Sequence, residues 1–205
     1  MNARRSGALV KTAKLDVADG PGLSAWLLSV DKEAPVDWVV ANAGVKDETI
    51  GLLPSDVVAA TRPLFSANVD GVFNTILPLL PAMKERKSGR VVIMSSITAS
   101  LPIADATAYC ATKVAVRTYG EALRGLLYRD GVRVNVVCPG FVESDMTKVL
   151  PHPLPGLMSM DAAVACIDDG LARDVAVIQF PFFMHTGAAY LALLPRPLFH
   201  AATRR

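Results

Sequence analysis

Four apolar runs constrain this chain more than any other feature: Val39-Val40, residues 91–94, Val136-Val137 and residues 175–178. Polar and apolar residues hardly alternate within them, so these strands must be buried on both faces. Helix-length segments separate the runs, which is the βαβ pattern of a parallel sheet lying between helices. Strands are expected at 10–16, 37–41, 90–94, 133–138 and 175–180. Helices are expected at 23–30, 55–87, 107–129 and 161–173, the last capped by Ser159. Pro63 should divide the long helical region, and Pro78 and Pro81 should bend its later half. No internal repeat or linker appears, so residues 1–205 read as one domain with an apolar tail at 182–205.

Composition narrows the partners. The 21 Lys and Arg nearly balance the 19 Asp and Glu, and no basic stripe is interleaved with aromatics. No nucleic-acid partner is therefore expected. Cys110, Cys138 and Cys166 are scattered, and His152, His185 and His200 stand alone, which argues against a disulfide framework or a metal site. The first residues are polar and basic without an apolar run, so no secretory leader is expected and a reducing cytoplasmic setting fits.

In a sheet of this kind, ligands bind outside the carboxyl ends of the strands. Asn42, Ala43, Gly44, Ser96, Pro139 and Gly140 all fall at such ends, on one rim. Tyr109 and Lys113 are four residues apart at the start of the helix at 107–129, so they share a face one turn apart. A free phenol has a pKa of about 10, and a nearby ammonium pulls it toward neutrality. Ser96, thirteen residues ahead of Tyr109, can hold a substrate oxygen from the end of the neighbouring strand. The trio suits proton transfer to a carbonyl or alcohol oxygen. On an ordinary helix the same Tyr and Lys also serve as a half-buried ring beside a surface cation, so their company decides.

Taken together, Ala41-Asn42-Ala43-Gly44, Asn68, Ser96, Tyr109 with Lys113, and Pro139-Gly140 with Ser144 resemble the short-chain dehydrogenase/reductase family, from about residue 9 to residue 173. The resemblance implies a Rossmann-like, doubly wound parallel sheet with helices on both faces, working as an NAD- or NADP-dependent oxidoreductase on a small molecule. It implies Tyr109 as general acid/base, with Lys113 lowering its pKa and binding the nicotinamide ribose. Ser96 would orient the substrate oxygen, and Asn68 would hold a water linking Lys113 to solvent. Asn42, Ala43 and Gly44 would line the adenosine side, with Asp16 and Val17 near the adenine. Pro139, Gly140, Val142 and Ser144 would form the nicotinamide-side loop. The resemblance also implies a homodimer or homotetramer paired through the helices at 68–87 and 107–129.

One departure stands out. No glycine cluster precedes Asp16, whereas the family begins with a strand, a Gly-rich turn, a helix and a second strand. The chain thus resembles a member truncated by roughly its first βαβ unit, on the order of 50 residues. The pyrophosphate would then lack its usual helix N-terminus. The strand at 10–16 is expected to move beside the one at 37–41, because an unpaired buried strand leaves backbone groups unsatisfied. The alternative to an enzyme is a catalytically impaired remnant that binds partners as a dimer or at a membrane surface. The tail carries no charge between Val175 and Pro195, too short a stretch for a span. It could pack on the domain, join a dimer, cap an apolar substrate pocket or make peripheral membrane contact.

Overall fold

The computed structural model describes residues 9–46, 54–101, 103, 106–148 and 154–203. Within them the chain runs α1 (Gly20–Glu33), β1 (Trp38–Ala41), α2 (Pro54–Phe65), α3 (Gly71–Ile76), α4 (Leu80–Glu85), β2 (Gly89–Met94), α5 (Thr107–Leu127) and β3 (Val132–Pro139). It continues through α6 (Asp145–Lys148), α7 (Met160–Ala172), β4 (Val177–Phe180), α8 (Phe182–Ala192) and α9 (Arg196–Thr203). The four strands form one all-parallel sheet in the order β1-β2-β3-β4. This is the Rossmann-like α/β architecture that the unalternating apolar runs imply.

Register sorts the side chains into two faces. Val39, Val91 and Val134 align, as do Ala41 with Ile93 and Ile93 with Val136, on the face covered by α1, α3 and α5. Val92, Val137, Ile178 and Phe180 lie on the other face, under Ala163 and Leu171 of α7. At the far end of α5, Arg124 grips Asp174 with both guanidinium nitrogens, at 3.0 and 2.8 Å, and donates to the Val134 carbonyl. Asn135 also donates to Asp174, so one carboxylate joins α5, β3 and the turn before β4. Ser159 caps α7 as expected, its Oγ accepting from the Ala162 N–H at 3.3 Å.

Two expectations fail. Residues 10–16 form no strand and pair with nothing in the sheet; they run exposed along the surface, and β1 is the sheet's end strand. The segment offers no apolar face to the sheet: extended, it would put Lys11 on one side and Thr12, Lys14 and Asp16 on the other. The chain is instead anchored at Val17, which packs against Gly71 and whose carbonyl accepts from Asn74 Nδ2 at 2.9 Å. The second sheet face at β1 is accordingly open, with Trp38 53% and Val40 50% exposed. Arg90 stacks over the Trp38 ring at 4.5 Å. The second correction concerns Pro63. It lies inside α2 without dividing it; Ala59, one turn earlier, and Pro63 are both exposed, so the turn can adjust on the solvent side. The break comes a turn later, as a five-residue π-turn at Ser66–Asp70 centred on Asn68.

Candidate active site

The π-turn widens the helix by one residue and turns the fully buried Asn68 inward. Its side chain accepts from the Val45 N–H at 2.7 Å and donates to the Val45 carbonyl at 2.8 Å. The amide also donates to Thr112 Oγ1 of α5 at 3.2 Å. One asparagine thus clamps the segment after β1 against the helix that carries Tyr109 and Lys113. Thr112 in turn donates to the Tyr109 carbonyl at 2.7 Å.

Lys113 is 6% exposed, with Nζ donating to the Met94 carbonyl at 3.0 Å and standing 5.5 Å from the centroid of the half-buried Tyr109 ring. Burial pushes the Lys113 pKa down from 10.5 to about 8, with Cys138 opposing weakly. The ammonium is therefore still charged at neutral pH, and is held where its charge is poorly screened. Gly44 allows the exposed segment 42–44 to approach it: a Cβ there would stand 3.1 Å from Asn68 Oδ1 and 3.5 Å from Lys113 Nζ. Asn68, Gly44, Tyr109 and Lys113 are thus brought together.

Ser95 and Ser96 end β2 and divide the work. Ser95 Oγ donates to the Lys113 carbonyl at 2.8 Å, tying α5 to the sheet. Ser96, also buried, caps the short turn at Ile97–Ala99 and accepts from the Thr98 N–H at 3.2 Å. Cys110 is buried against the Ile103 backbone, one turn from the ammonium.

On the other side of the rim, β3 ends at Pro139, and Gly140 donates to the Phe180 carbonyl at 2.7 Å. Val142 bridges to Met158 and packs under α7. Ser144 heads α6, its N–H donating to Thr147 Oγ1 at 2.9 Å, while that hydroxyl donates to the Val142 carbonyl at 2.8 Å. Asp16 makes a local turn, its Oδ1 accepting from the Ala18 N–H at 2.9 Å. Thr112, Thr147 and the Met94 carbonyl are partners that no sequence motif marks. A backbone acceptor leaves no sequence signal, and a threonine beside a lysine leaves a weak one. Among the described residues no group of three or more metal-ligating side chains occurs.

A parallel sheet with a lysine, a tyrosine and an asparagine gathered at its carboxyl rim defines a dehydrogenase-type oxidoreductase fold. The family model for short chain dehydrogenases matches residues 2–154, more than half of the chain, and the protein belongs to the short-chain dehydrogenase/reductase family. Members of this family are oxidoreductases that use NAD or NADP. The chain is 37% identical to an uncharacterized oxidoreductase of Myxococcus xanthus, over 99% of this chain and 80% of that one. It is 39% identical to the acetoacetyl-CoA reductase of a Synechocystis strain, over 57% of this chain and 48% of that protein, so this match spans about half of the relative's length. A short chain dehydrogenase from Burkholderia cenocepacia in complex with NADP superposes with a TM-score of 0.78 at 20% identity, covering 95% of this chain and 80% of that one. A 3-oxoacyl-[acyl-carrier protein] reductase with bound NAD from Brucella melitensis gives a TM-score of 0.63 at 27% identity, covering 80% and 66%.

Proposed function

We propose that this protein interconverts an alcohol and a carbonyl with NAD or NADP, Tyr109 acting as the general acid/base. The observation that carries the reading is the buried Lys113 ammonium, 5.5 Å from the Tyr109 ring and adjoining the exposed Gly44 segment. An ammonium that burial destabilises gains from an anion formed beside it, which is the electrostatic role proposed for Lys113. In the reducing direction the Tyr109 hydroxyl gives its proton to the carbonyl oxygen; in the oxidising direction the phenolate takes the proton from the alcohol. Ser96 orients the substrate oxygen, and Asn68 is assigned the holding of a water that links Lys113 to solvent. NAD or NADP, when bound, supplies or accepts the hydride.

The residues present fit the nicotinamide-ribose end of that cofactor. A lysine ammonium has three donors, and Met94 takes one, which leaves two for a vicinal diol. Asn42, Ala43 and Gly44 offer exposed backbone on one side, and Pro139, Gly140, Val142 and Ser144 form the loop on the other. Asp16 and Val17 are assigned to the adenine side.

The substrate class proposed is an apolar ketone or alcohol. Two features support it: relatives are named as reductases of acetoacetyl-CoA and of 3-oxoacyl chains, and the nicotinamide-side loop packs on the apolar α8. Exposed Phe65, Leu126 and Tyr128 on α2 and at the end of α5 support a homodimer or homotetramer. Three free cysteines support a reducing, cytoplasmic setting. Titration of the full chain with NADH and NADPH, followed by Trp fluorescence, tests the reading. Saturable binding of either is expected; no binding up to millimolar cofactor would defeat it.

A further inference from the structure

Thr112 is fully buried in the second turn of α5, and the proposed reaction assigns it no step. A hydroxyl has one proton to give and two lone pairs. The proton of Thr112 goes to the Tyr109 carbonyl at 2.7 Å, and a lone pair takes the Asn68 amide at 3.2 Å. Asn68 commits its other side-chain groups to Val45, accepting from the N–H at 2.7 Å and donating to the carbonyl at 2.8 Å. With one Nδ2 proton on Val45 and the other on Thr112, the orientation of this buried amide is fixed. Turned over, its NH2 would meet the Val45 N–H, donor against donor.

These bonds run without a gap from the segment at 42–45 to the part of α5 that carries Tyr109 and Lys113. In an α-helix the Tyr109 carbonyl also receives the Lys113 N–H, so the oxygen that Thr112 holds is shared by the acid/base pair. The other end of this turn is tied to the sheet, where Ser95 Oγ donates to the Lys113 carbonyl at 2.8 Å. A Cβ at Gly44 would stand 3.5 Å from Lys113 Nζ, so the segment at 42–45 lies close against the ammonium. Tyr109 and Cys138 are the titratable side chains that act on Lys113 there.

We propose that Thr112 is a positioning residue whose hydroxyl, through Asn68, keeps the segment at 42–45 in register with Tyr109 and Lys113. Valine has the same shape without the hydroxyl, and would leave one proton of a fully buried amide without its acceptor. The amide must then turn to water, the segment draws away from Lys113, and Nζ is hydrated. Serine keeps the hydroxyl and should keep the register. The effect on turnover rests on the reading of Tyr109 as general acid/base; the register does not.

Nuclear magnetic resonance of the full chain, labelled with 13C-lysine, tests it. The Lys113 signal is identified by its loss in Lys113→Met, and is titrated with pH in the wild type, Thr112→Val and Thr112→Ser. Burial holds the wild-type Lys113 pKa at about 8. Thr112→Val should raise it by roughly half a unit or more, and Thr112→Ser should leave it in place. A role confined to stability would lower the unfolding temperature of Thr112→Val without moving this pKa, and that result would overturn the proposal. So would a serine variant that shifts as the valine variant does. The wild type alone gives a second reading: the Asn68 side-chain protons should exchange at least about tenfold more slowly than those of exposed amides. Exchange at the exposed rate would overturn the proposal as well. In carbonyl reduction, kcat of Thr112→Val should fall about tenfold or more, with Thr112→Ser near the wild type; an unchanged kcat in the valine variant would contradict the assignment. A wild type without turnover would count against the proposed reaction alone, and the Lys113 titration would still decide the role of Thr112.

Discussion

Lys113→Met isolates the effect of burial on the ammonium of the site. In the wild type the folded-state pKa, about 8, lies below the ordinary 10.5. The unfolded chain therefore binds more protons between those values, and stability must rise as the pH climbs through that window. Below pH 8 the burial penalty is fully present and amounts to roughly 3 kcal/mol. Between pH 7 and pH 10 it should fall by roughly 2.5 kcal/mol. Methionine keeps the length and fills the same apolar space, but leaves the Met94 carbonyl without its donor, which costs about 1 kcal/mol. The variant should thus be about 2 kcal/mol more stable than the wild type at pH 7 and close to it at pH 10. Urea unfolding of the cofactor-free protein at several pH values measures both curves. Other groups titrate in both proteins, so the difference between the curves reports on Lys113. Parallel curves would refute the burial of the ammonium, and with it the electrostatic argument for Tyr109.

Two further substitutions probe the scaffold. A Cβ at Gly120 would stand 2.5 Å from Val136 Cγ2 and 3.1 Å from Ile93 Cδ1, forcing α5 off the sheet. Gly120→Ala should cost about 1–2 kcal/mol after its gain in helix propensity, read as a lower urea midpoint. Arg124→Met should cost about 2 kcal/mol at neutral pH, since it strips Asp174 and the Val134 carbonyl of charged donors. The Asp174 carboxyl is held below its usual range mainly by Arg124. That contribution is complete above the ordinary carboxylate pKa and is lost as pH falls through the lowered one. The gap between wild type and Arg124→Met should accordingly narrow in acid.

The sheet was legible where a strand needs both faces buried. Residues 91–94 and 136–137 could be placed because apolar side chains run there unbroken. Residues 10–16 misled because a strand is a property of a pair, and lysines three apart, on opposite faces of an extended segment, give it no apolar face for a neighbour. Ser159 was legible as a cap, because its role depends only on the adjacent backbone. The break at Asn68 was not, because a π-turn is chosen by what the asparagine reaches, Val45 and Thr112, both far away in sequence. Tyr109 and Lys113 could be paired by helical spacing alone. The acceptor that fixes the Lys113 ammonium is a backbone carbonyl, which the sequence does not mark.

The most direct test follows absorbance at 340 nm while the protein, with NADPH or NADH, meets an acetoacetyl thioester, in the wild type and in Tyr109→Phe. The phenylalanine variant keeps the ring and loses only the transferable proton. Turnover is expected to fall by about two or more orders of magnitude, the scale of general acid/base catalysis. A Tyr109→Phe protein that reduces the carbonyl as fast as the wild type would contradict the account.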